Sequence, residues 1–496
     1  MNKLFKYGLL SAVALLSFSC GDDFLEKPAL EGSASLTSSQ LEQAANTDPE
    51  VIGGLISGVY SFMFTSGTGG TTGHDDFGHK SYDIFGDMLS GDMALSTSTY
   101  GWYRSSITEF QAPLDFTFGD NRQVWRYYYR VIRGCNEVID GLGGNDITPA
   151  NQENKYIMGQ AKALRAHSYF YLAQYYQKEY DGAEEILPFY TDAVTPNGPK
   201  VAAKVIYDQI EKDLTEAITL LDGFTRSNKT QINKNVAQGV YAYVLGARGS
   251  DYPKAYNMAV AAMSGYSIMP ASEVRGGFNN LNSASWMWGV DLNDEIGAGL
   301  VSWWGQMDYF SYSYPAFGDA KSMDQALFDL IPANDERKGQ FFDSPGVYEH
   351  LLPLNKFYDS DRTRYGSSRI VKADLVFMRA AEMALLAAEF AAKSNNDGGA
   401  RTMLKSLVSK RVPDASYIDA LAGQQLKNEI YKQIRIELWG EGKSYLAMKR
   451  NKATVTRGAN HLSFVGTPIP YNDERMTFEI PEGEIQFNPF ISTQNN

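Results

Sequence analysis

Long segments in which apolar residues recur every three or four positions constrain the fold of this chain more than any other feature. They include residues 156–178, 204–221, 375–393 and 424–448. Because an α-helix has about 3.6 residues per turn, this spacing puts the recurring side chains on one face. The sequence therefore predicts long amphipathic helices. In the first segment the recurring residues are Ile157, Ala161, Leu164, Ser168, Tyr171 and Tyr175.

A further predicted helix begins near Pro253 and carries small residues on its contact face. Pro253 fits the first turn of a helix, and Ala255, Ala259 and Ala262 let a neighbouring helix approach closely. Helices that pack through small residues are typical of tetratricopeptide-type helix pairs, although no repeat period can be counted here. We predict a mostly α fold, with a tetratricopeptide-like helical repeat scaffold and an irregular, loop-rich insertion.

The insertion is predicted where the helical pattern stops. Gly, Asn, Ser, Trp and Tyr are dense there. Long irregular segments in compact proteins are usually functional or disordered, and the aromatic content argues against disorder. Within it, Trp286 and Trp288 alternate with Met287, which predicts a strand whose tryptophans face the core. The predicted divisions of the body are a first scaffold part at 46–275, the insertion as the ligand face at 276–371, and closing C-terminal helices at 372–496.

The N-terminus predicts a lipoprotein signal peptide at residues 1–19. A basic start precedes an apolar run of about a dozen residues, which is too short to span a bilayer. A small residue precedes Cys20, as lipoprotein signal peptidase requires, whereas Ser17 replaces the usual Leu three places before the cysteine. We expect Cys20 to be lipidated and residues 20–45 to form a tether. The alternative is an ordinary signal peptide that leaves a soluble periplasmic protein.

The acidic composition limits the partners. The formal net charge is −13 at pH 7. The leader contains Lys3 and Lys6, so its removal makes the chain more acidic. Such a chain repels the phosphates of nucleic acids and anionic lipids, so we expect no nucleic-acid partner and a covalent membrane attachment. Asp22 and Asp23, close behind Cys20, resemble the export signal of surface lipoproteins. We therefore expect a cell-surface lipoprotein of the outer membrane.

No cofactor or metal site is predicted. Cys135 lies in a helical stretch and has no partner if Cys20 is lipidated, so we expect a small buried side chain. His74 and His79 stand beside two aspartates, but a spacing of five does not place both on one helix face. Residues 65–73 form a Gly/Thr loop without the ending of a phosphate-binding loop, and we expect a flexible surface loop.

Two aromatic clusters form the predicted ligand site. One comprises Trp102 and Tyr103, with Tyr100, in a polar loop at residues 96–106 that has no obvious core to fill. A sugar has apolar C–H faces ringed by hydroxyls, which aromatic planes and polar side chains match. The sequence does not separate rings that contact ligand from rings that pack. The other cluster lies in the insertion and comprises Trp303, Trp304, Gln306, Asp308, Tyr309, Tyr312 and Tyr314.

Several segments resemble motifs of the RagB/SusD family, in the family's order. Residues 161–172 resemble its Ala-x-x-Leu-Arg-Ala-x-x-Tyr-Phe-x-Leu helix, and residues 480–489 resemble its Ile-Pro-x-x-Glu-Ile-x-x-Asn-Pro ending. Residues 206–214 and 377–389 match two further helices of the family. Residues 435–443 are similar to its Arg-x-x-Glu-Leu-x-x-Glu-Gly-x-Arg block, shortened by one residue and ending in Lys in place of Arg.

This resemblance implies a tetratricopeptide-like scaffold, a variable face that binds glycan, and a SusC-type TonB-dependent transporter barrel beneath the protein. In the family, aromatic residues from the two regions described above form the binding arc. The motifs themselves are expected to be scaffold. Arg435, Glu437 and Glu441 lie at helical spacing, and we expect them to form ion pairs rather than a charged binding cluster.

The predicted function is capture of oligo- or polysaccharide at the cell surface and its delivery to the transporter, without catalysis. Capture of peptides or another nutrient is the alternative, because aromatic rings also bind peptides. A glycoside hydrolase is less favoured. No Gly-x-Ser-x-Gly, His-Glu-x-x-His or nucleotide-binding loop occurs in the sequence, and carboxylate pairs cannot be recognised without distances.

Overall fold

The structure is a computed structural model, and it describes residues 49–293, 296, 298–359, 362 and 369–495. The predicted signal peptide at 1–19, the lipidation site Cys20 and the tether at 20–45 lie outside the described residues. Within the described part, no helix combines the length and the apolar character needed to cross a membrane.

Helices make up most of the regular structure. The first half contains α1 (Pro49–Ser61), α2 (His79–Leu89), α3 (Gln111–Leu114), α4 (Gly119–Gly141), α5 (Gln152–Tyr176), α6 (Ala203–Leu220), α7 (Lys234–Arg248) and α8 (Tyr252–Ala262). The second half contains α9 (Trp303–Met307), α10 (Tyr314–Phe317), α11 (Gln325–Asp329), α12 (Ala380–Lys393), α13 (Asp397–Val408), α14 (Gly423–Glu437), α15 (Ser444–Arg450) and α16 (Glu482–Phe487). Short π- or 3₁₀-helical turns occupy Arg104–Thr108, Ala271–Glu273, Glu336–Gln340, Ser416–Ala420 and Glu474–Met476.

Short strands pair two by two, and each pair is antiparallel. The pairs are β1 (Met93–Leu95) with β5 (Lys321–Met323), β2 (Glu185–Pro188) with β3 (Lys200–Ala202), β4 (Trp286–Val290) with β6 (Leu375–Arg379), and β7 (Thr454–Thr456) with β8 (Pro468–Pro470).

The predicted helices are confirmed where the periodicity is strongest. α5 covers most of the predicted segment 156–178, and α6 covers that at 204–221. Pro253 lies in the first turn of α8 as predicted. Asp251 caps this helix, because its side chain accepts a hydrogen bond from the Lys254 backbone N–H at 2.9 Å.

Two predicted helices contain breaks. Residues 375–379 of the predicted helix 375–393 form β6, because they pair with β4, and α12 begins only after them. The predicted helix at 424–448 stops between α14 and α15. Gly440 and Gly442 there adopt left-handed φ angles of 78° and 75°, which end a helix. The prediction of a continuous helix is therefore wrong at both places.

Helices that follow one another along the chain pack together. α4 packs against α5, α5 against α6, α7 against α8, and α12 against α13. α12 also contacts α8 and α14. Small residues permit this packing: a Cβ on Gly246 of α7 would lie 2.3 Å from the Phe390 ring of α12. The predicted fold class, a mostly α scaffold of stacked helices, is confirmed.

Residues 276–371 are tied to the scaffold on both sides. β4 within this segment pairs with β6 in the C-terminal part, and β5 pairs with β1 in the first scaffold part. Trp286 and Trp288 are buried, as predicted for a core-facing strand. The insertion therefore shares the core of the scaffold, and the division of the chain at residues 276 and 371 stays a prediction.

The core continues through most of the described chain. One apolar cluster includes residues from Ile52 in α1 to Ile491 near the C-terminus. A second lies mainly among α12, α13 and α14. Cys135 is buried and free, as predicted, and burial raises the pKa of its thiol. A thiol held protonated in this way behaves as a small apolar side chain.

The predicted scaffold role of the charged segment 435–443 is confirmed. The Glu437 carboxylate accepts hydrogen bonds from Arg379 Nη1 at 2.7 Å and from Arg411 Nη2 at 2.8 Å. Burial alone would raise the pKa of Glu437, but the two guanidiniums outweigh it and hold this pKa well below its usual range. Further ion pairs of the segment join Glu437 to Arg337, Glu441 to Arg379 and Lys356, Arg435 to Asp92, and Lys443 to Glu382.

Candidate functional site

The tryptophan pair at the centre of the predicted site lies in the core. Trp303 and Trp304 open α9, with 3% and 0% of their surface exposed. Trp304 Nε1 donates to the Ala373 carbonyl oxygen at 2.6 Å. The Trp303 ring packs edge-on against Trp304 at 4.9 Å and against Phe357 at 4.8 Å, measured between centroids. Because neither ring reaches solvent, the prediction that these tryptophans contact ligand is wrong.

The polar residues predicted beside them are also buried. Gln306 Nε2 donates to the His74 carbonyl oxygen at 2.8 Å, and Gln306 Oε1 accepts from Lys321 Nζ at 2.7 Å. The Asp308 carboxylate accepts from the Phe310 backbone N–H at 3.0 Å, and burial raises the pKa of Asp308 to about 6. Gln306 joins the chain at His74 to Lys321 of β5, and Asp308 stabilises the turn after α9, so the predicted ligand contact is wrong for both.

Two of the predicted tyrosines are interior as well. The Tyr103 ring lies beneath the Lys321 ammonium, 4.8 Å from Nζ, and is fully buried. The Tyr309 hydroxyl donates to the Glu349 carboxylate. The Tyr309 ring is buried in a small apolar cluster with Ala320 and Leu352. Both rings fill apolar space, so the predicted ligand contact is wrong for Tyr103 and Tyr309.

Four rings meet where the 96–106 loop approaches α10, and we name His74, Tyr100, Trp102 and Tyr314 the aromatic shelf. His74 stacks on Trp102 with centroids 5.1 Å apart and planes 4° apart. Tyr314 meets the other three rings edge-on, at centroid distances from 5.4 to 6.2 Å. The Tyr314 hydroxyl and His74 Nδ1 share a hydrogen bond of 2.5 Å. Such contacts hold the rings in fixed orientations.

The shelf presents part of its aromatic surface to solvent. Tyr100 is 57% exposed, and Trp102 and His74 are half-buried. Tyr314 is only 6% exposed, and burial raises its pKa. Tyr314 therefore supports the other rings, which corrects its predicted contact with ligand. The predicted ligand contact of Trp102 stays a prediction.

The backbone sends Trp102 outward and its neighbour Tyr103 inward. Gly101 and Tyr103 both have left-handed φ angles, 86° and 66°. The chain then continues directly into the π-helical turn Arg104–Thr108. A left-handed φ at a tyrosine costs on the order of 1–3 kcal/mol, and such strain recurs where a site requires one orientation. The local geometry thus fixes which of two adjacent rings is offered to a ligand.

Asp319 fixes the loop that carries Tyr100. Its Oδ1 accepts from the backbone N–H of Thr99 at 2.6 Å and from that of Tyr100 at 2.9 Å. The Thr97 hydroxyl donates to the Gly318 carbonyl oxygen at 3.0 Å. These bonds join the 96–106 loop to the end of α10. The shelf is consequently built from distant parts of the chain that are held together by hydrogen bonds.

A second exposed pair of rings lies beside the shelf. Tyr312 and Phe317 are 38% and 41% exposed, with centroids 5.4 Å apart. The Arg369 guanidinium lies over Tyr312 at 4.8 Å from the centroid. The predicted ligand contact of Tyr312 stays a prediction, and its exposed ring extends the aromatic surface next to Tyr314.

The sequence did not predict that the His74 ring forms part of the shelf. Its position beside aspartates suggested a metal ligand, which the spacing then disfavoured. Among the described residues, no group of three or more His, Cys, Asp or Glu side chains is arranged to hold a metal ion. His74 belongs to the shelf because its ring stacks on Trp102. No local sequence pattern reveals this contact, because the two residues are far apart in the chain.

A pair of acids lies under the shelf, of which Asp75 is buried and Asp120 is half-buried. Asp75 shares a hydrogen bond with Asp120, and burial together with the Asp120 charge raises the pKa of Asp75 well above its usual range. A Cβ on Gly73 would lie 2.4 Å from Asp75 Oδ1 and 3.6 Å from the Trp102 ring. Glycine at position 73 therefore lets the loop close over the acid pair and against the shelf.

Two family models match the chain. One, described as starch-binding associating with outer membrane, matches residues 79–245. The other, described as the SusD family, matches residues 347–495. These regions contain the five segments whose motifs carry the resemblance found in the sequence. None of the curated proteins matches the chain.

Solved structures with the same fold include a SusD-like carbohydrate binding protein from Bacteroides vulgatus. It is 23% identical, with a TM-score of 0.74 over 92% of this chain and 97% of that chain. A SusD superfamily protein from Bacteroides thetaiotaomicron is 22% identical, with a TM-score of 0.74 over 90% and 99%. Surface glycan-binding protein A from Bacteroides thetaiotaomicron, in complex with laminarihexaose, is 16% identical, with a TM-score of 0.65 over 90% and 99%. The predicted SusD-like helical fold is confirmed.

Proposed function

The chain belongs to the RagB/SusD family, and from this membership we propose that it captures saccharide on the aromatic shelf at the cell surface. It then delivers the saccharide to a SusC-type TonB-dependent transporter. The observation that carries the proposal is the shelf itself. Tyr100 and Trp102 are held at the surface by Tyr314 and His74, so their rings need no reordering when a sugar arrives.

The expected affinity is modest. Each ring that stacks on a sugar contributes about 0.5–1.5 kcal/mol beyond its area burial. Two or three such contacts with hydrogen bonds around the rim correspond to dissociation constants between about 1 μM and 1 mM. Many copies on one cell surface raise the effective affinity for a long polysaccharide. The neighbour solved in complex with laminarihexaose supports a saccharide ligand for this fold.

Calorimetric titration tests the shelf directly. We expect Trp102→Ala to weaken binding of the best ligand among laminarihexaose, maltohexaose and xylohexaose at least tenfold, because the stacked face is lost. We expect Tyr100→Ala to weaken binding as well. Its matched control is Tyr417→Ala, since Tyr417 is 43% exposed and its 3₁₀ turn contributes no ring to the shelf. The control variant should bind as the unchanged protein does.

Two results would contradict a saccharide ligand. If no hexasaccharide binds while a tryptic peptide mixture gives Trp102-dependent heat, the scaffold captures peptides. If saccharide binds with the same affinity to Trp102→Ala and Tyr100→Ala, the shelf is not the site. Thermal melting of each variant in parallel shows whether the protein is folded in the titration.

Binding without hydrolysis is the proposed activity. The acid pair under the shelf, Asp75 and Asp120, is hydrogen-bonded directly. The two carboxyl groups of a glycosidase stand about 5–5.5 Å apart in retaining enzymes and about 6.5–9.5 Å apart in inverting ones. A directly bonded pair leaves no room for the sugar or water between them. Release of reducing ends from a bound hexasaccharide, abolished by Asp75→Asn, would contradict this proposal.

Lipid attachment at Cys20 and partnership with the transporter complete the proposed function. We expect Cys20→Ala to move the protein from the outer-membrane fraction to the soluble fraction, because several acyl chains anchor stably and the acidic body does not. Cys135→Ala is the matched control and should stay with the membrane. A TonB-dependent transporter should co-purify with the lipidated protein from detergent-solubilised membranes. Retention of Cys20→Ala in the membrane, or absence of the transporter, would contradict these two points respectively.

A further inference from the structure

The Gly/Thr loop at residues 65–73 is ordered around one carboxylate, which corrects the prediction of a flexible loop. Asp76 Oδ1 accepts from the Gly69 backbone N–H at 2.8 Å. Asp76 Oδ2 accepts from the Thr71 backbone N–H at 3.0 Å and from the Thr71 hydroxyl at 2.9 Å. The Gly67 N–H donates to the Asp76 carbonyl oxygen at 2.8 Å. A turn tied down at this many points has a fixed shape, which raises the question of what it positions.

The turn positions two arginines of α4. A Cβ on Gly70 would lie 2.5 Å from Arg126 Cζ, so the guanidinium rests directly on this glycine. Gly70 also has a left-handed φ of 82°, which favours glycine for a second reason. Arg130 Nη1 donates to the Thr68 carbonyl oxygen at 3.4 Å, and its guanidinium lies over the Phe62 ring at 5.0 Å. The loop thus orients the Arg126 and Arg130 guanidiniums.

These arginines belong to a row along one face of α4. Arg122, Arg126, Arg130 and Arg133 recur at spacings of four, four and three, and all four are exposed. Arg133 pairs with Glu137 at 3.1 Å. Within the part of the chain that the structure describes, neither Arg126 nor Arg130 forms an ion pair. Two neighbouring exposed arginines that form no ion pair in the described part of the chain are unexpected at a net charge of −13.

The row borders a cleft that lies between α4 and the chain that follows β2. Its volume is about 520 Å³. Tyr129 and Tyr190 line it with ring centroids 6.0 Å apart, and Trp125 packs against Tyr129 at 4.9 Å. Arg126, Arg130 and Arg133 form one wall of the cleft, whereas Arg122 lies outside it.

Two acidic residues on the opposite wall are already engaged. Glu484 accepts from Trp125 Nε1 at 3.3 Å and from Asn488 Nδ2 at 2.7 Å. Asp192 accepts from the Thr195 backbone N–H and hydroxyl, each at 2.6 Å. These donors are neutral, so both carboxylates keep their negative charge, but the three arginines that line the cleft outnumber them. The wall formed by Arg126 and Arg130 is therefore the one that can bind a charged ligand.

We propose that this cleft is a second saccharide site, selective for acidic sugars. The Arg126 and Arg130 guanidiniums bind the carboxylate or sulphate of the sugar, and the Tyr129 and Tyr190 rings contact the pyranose face. Guanidinium forks match the paired oxygens of both anions. The proposal rests on the proposed saccharide-capture function and adds a ligand class that the aromatic shelf, which contains no guanidinium, does not select.

The cleft and the shelf are joined by one short stretch of chain. Thr68 lines the cleft, and His74 lies in the shelf six residues later. Six residues span at most about 21 Å when extended, so Thr68 and His74 lie within that distance of each other. A saccharide with charged and neutral parts can engage both, and the second contact then forms at high effective concentration.

Calorimetric titration of the full chain tests the cleft with three tetrasaccharide probes. These are tetragalacturonic acid, a sulphated tetrasaccharide and neutral maltotetraose, each at about 50 mM ionic strength to limit screening. We expect at least one acidic probe to bind, and Arg126→Gln with Arg130→Gln to weaken that binding about tenfold or more. Arg122→Gln is the matched control on the same helix face and should leave the affinity unchanged. The acidic probe that binds identifies the anionic group.

Several outcomes would overturn the proposal. The first is that neither acidic probe binds. The second is that maltotetraose binds at the arginine wall with the same affinity as an acidic probe. The third is that Arg126→Gln and Arg130→Gln leave the affinity for the acidic probe unchanged. Displacement of the acidic saccharide by an oligoglutamate of equal charge and tighter affinity would assign the cleft to acidic peptides. Failure here is distinguishable from failure of the shelf, because Trp102→Ala affects the neutral hexasaccharides and leaves the arginine wall intact.

Discussion

The Trp304 ring is part of the core that the insertion shares with the scaffold, so its removal should cost stability rather than affinity. We expect Trp304→Ala to lower the free energy of unfolding by about 3–5 kcal/mol, because a large buried ring leaves a cavity and the Ala373 carbonyl loses its donor. Trp102→Ala, on a half-buried ring, should cost much less. Urea titration followed by far-ultraviolet circular dichroism measures both. A Trp304→Ala protein as stable as the unchanged chain would mean that the ring is not packed as described.

The sequence predicted which chain segments form the site, but not which of their aromatic rings reach the surface. Trp102 and Tyr103 are adjacent in one polar loop, yet only Trp102 reaches the surface, because the left-handed φ of Tyr103 turns its side chain inward. Similarly, Trp303 and Trp304 sit in a Gly-, Ser- and Tyr-rich stretch that suggests a loop. Their burial depends on Phe357 and Ala373, which are distant in sequence. Composition carries no information on such contacts.

The acid pair under the shelf should make stability depend on pH. Asp75 ionises near 3.8 in an unfolded chain, whereas burial beside Asp120 keeps it protonated to higher pH in the fold. The folded state then binds more protons, so stability falls as pH rises from about 3.8 through the raised pKa. We expect Asp75→Asn to gain stability relative to the unchanged protein over this range.

Melting temperatures between pH 4 and pH 8 measure that difference. Asp329→Asn, on an exposed aspartate of α11, is the matched control and should give a difference that varies little with pH. A difference for Asp75→Asn that is constant across the range would show that Asp75 and Asp120 do not share a proton in the fold.

At the scale of elements, Glu437 at the end of α14 joins β6 to the chain after α13. Its carboxylate binds Arg379 and Arg411 and lies 3.2 Å from Arg337 Nη1. We expect Glu437→Gln to lower the free energy of unfolding by about 3–5 kcal/mol, because buried guanidiniums lose their counter-charge. Glu137→Gln, in the exposed pair with Arg133, is the matched control and should cost at most about 1 kcal/mol. Equal effects in urea titration would contradict the buried network.

Element prediction succeeded where the signal is local. α5 and α6 follow from apolar spacing within each segment, and α8 follows from its capping residues. The errors lie where long-range pairing or backbone geometry overrides periodicity. Residues 375–379 become a strand because β4 lies alongside, and the helix after 437 stops at two glycines with positive φ. The Gly/Thr loop looked flexible because the Asp76 bonds that order it depend on the turn being formed.

At the scale of the whole molecule, the scaffold class could be predicted because many segments of the sequence show helical periodicity. The contacts that join the insertion to the scaffold could not be predicted. β5 pairs with β1 and β4 pairs with β6, and each pair joins segments that are far apart in sequence. The aromatic shelf depends on the same joining, because the 96–106 loop continues from β1 and α10 precedes β5. A chain organised in this way positions its ligand surface through its fold rather than through one motif.

Because insertion and scaffold share one apolar cluster, they should unfold together. We expect a single calorimetric transition whose measured enthalpy equals the van't Hoff enthalpy. Trp288→Ala in β4 should lower the midpoint of that one transition, since the ring packs on Phe377 at 5.1 Å and Trp288 Nε1 donates to the Thr230 carbonyl oxygen at 2.9 Å. The exposed Tyr417→Ala should leave the midpoint nearly unchanged. Two resolved transitions, of which Trp288→Ala shifts only one, would mean that residues 276–371 fold independently of the helices.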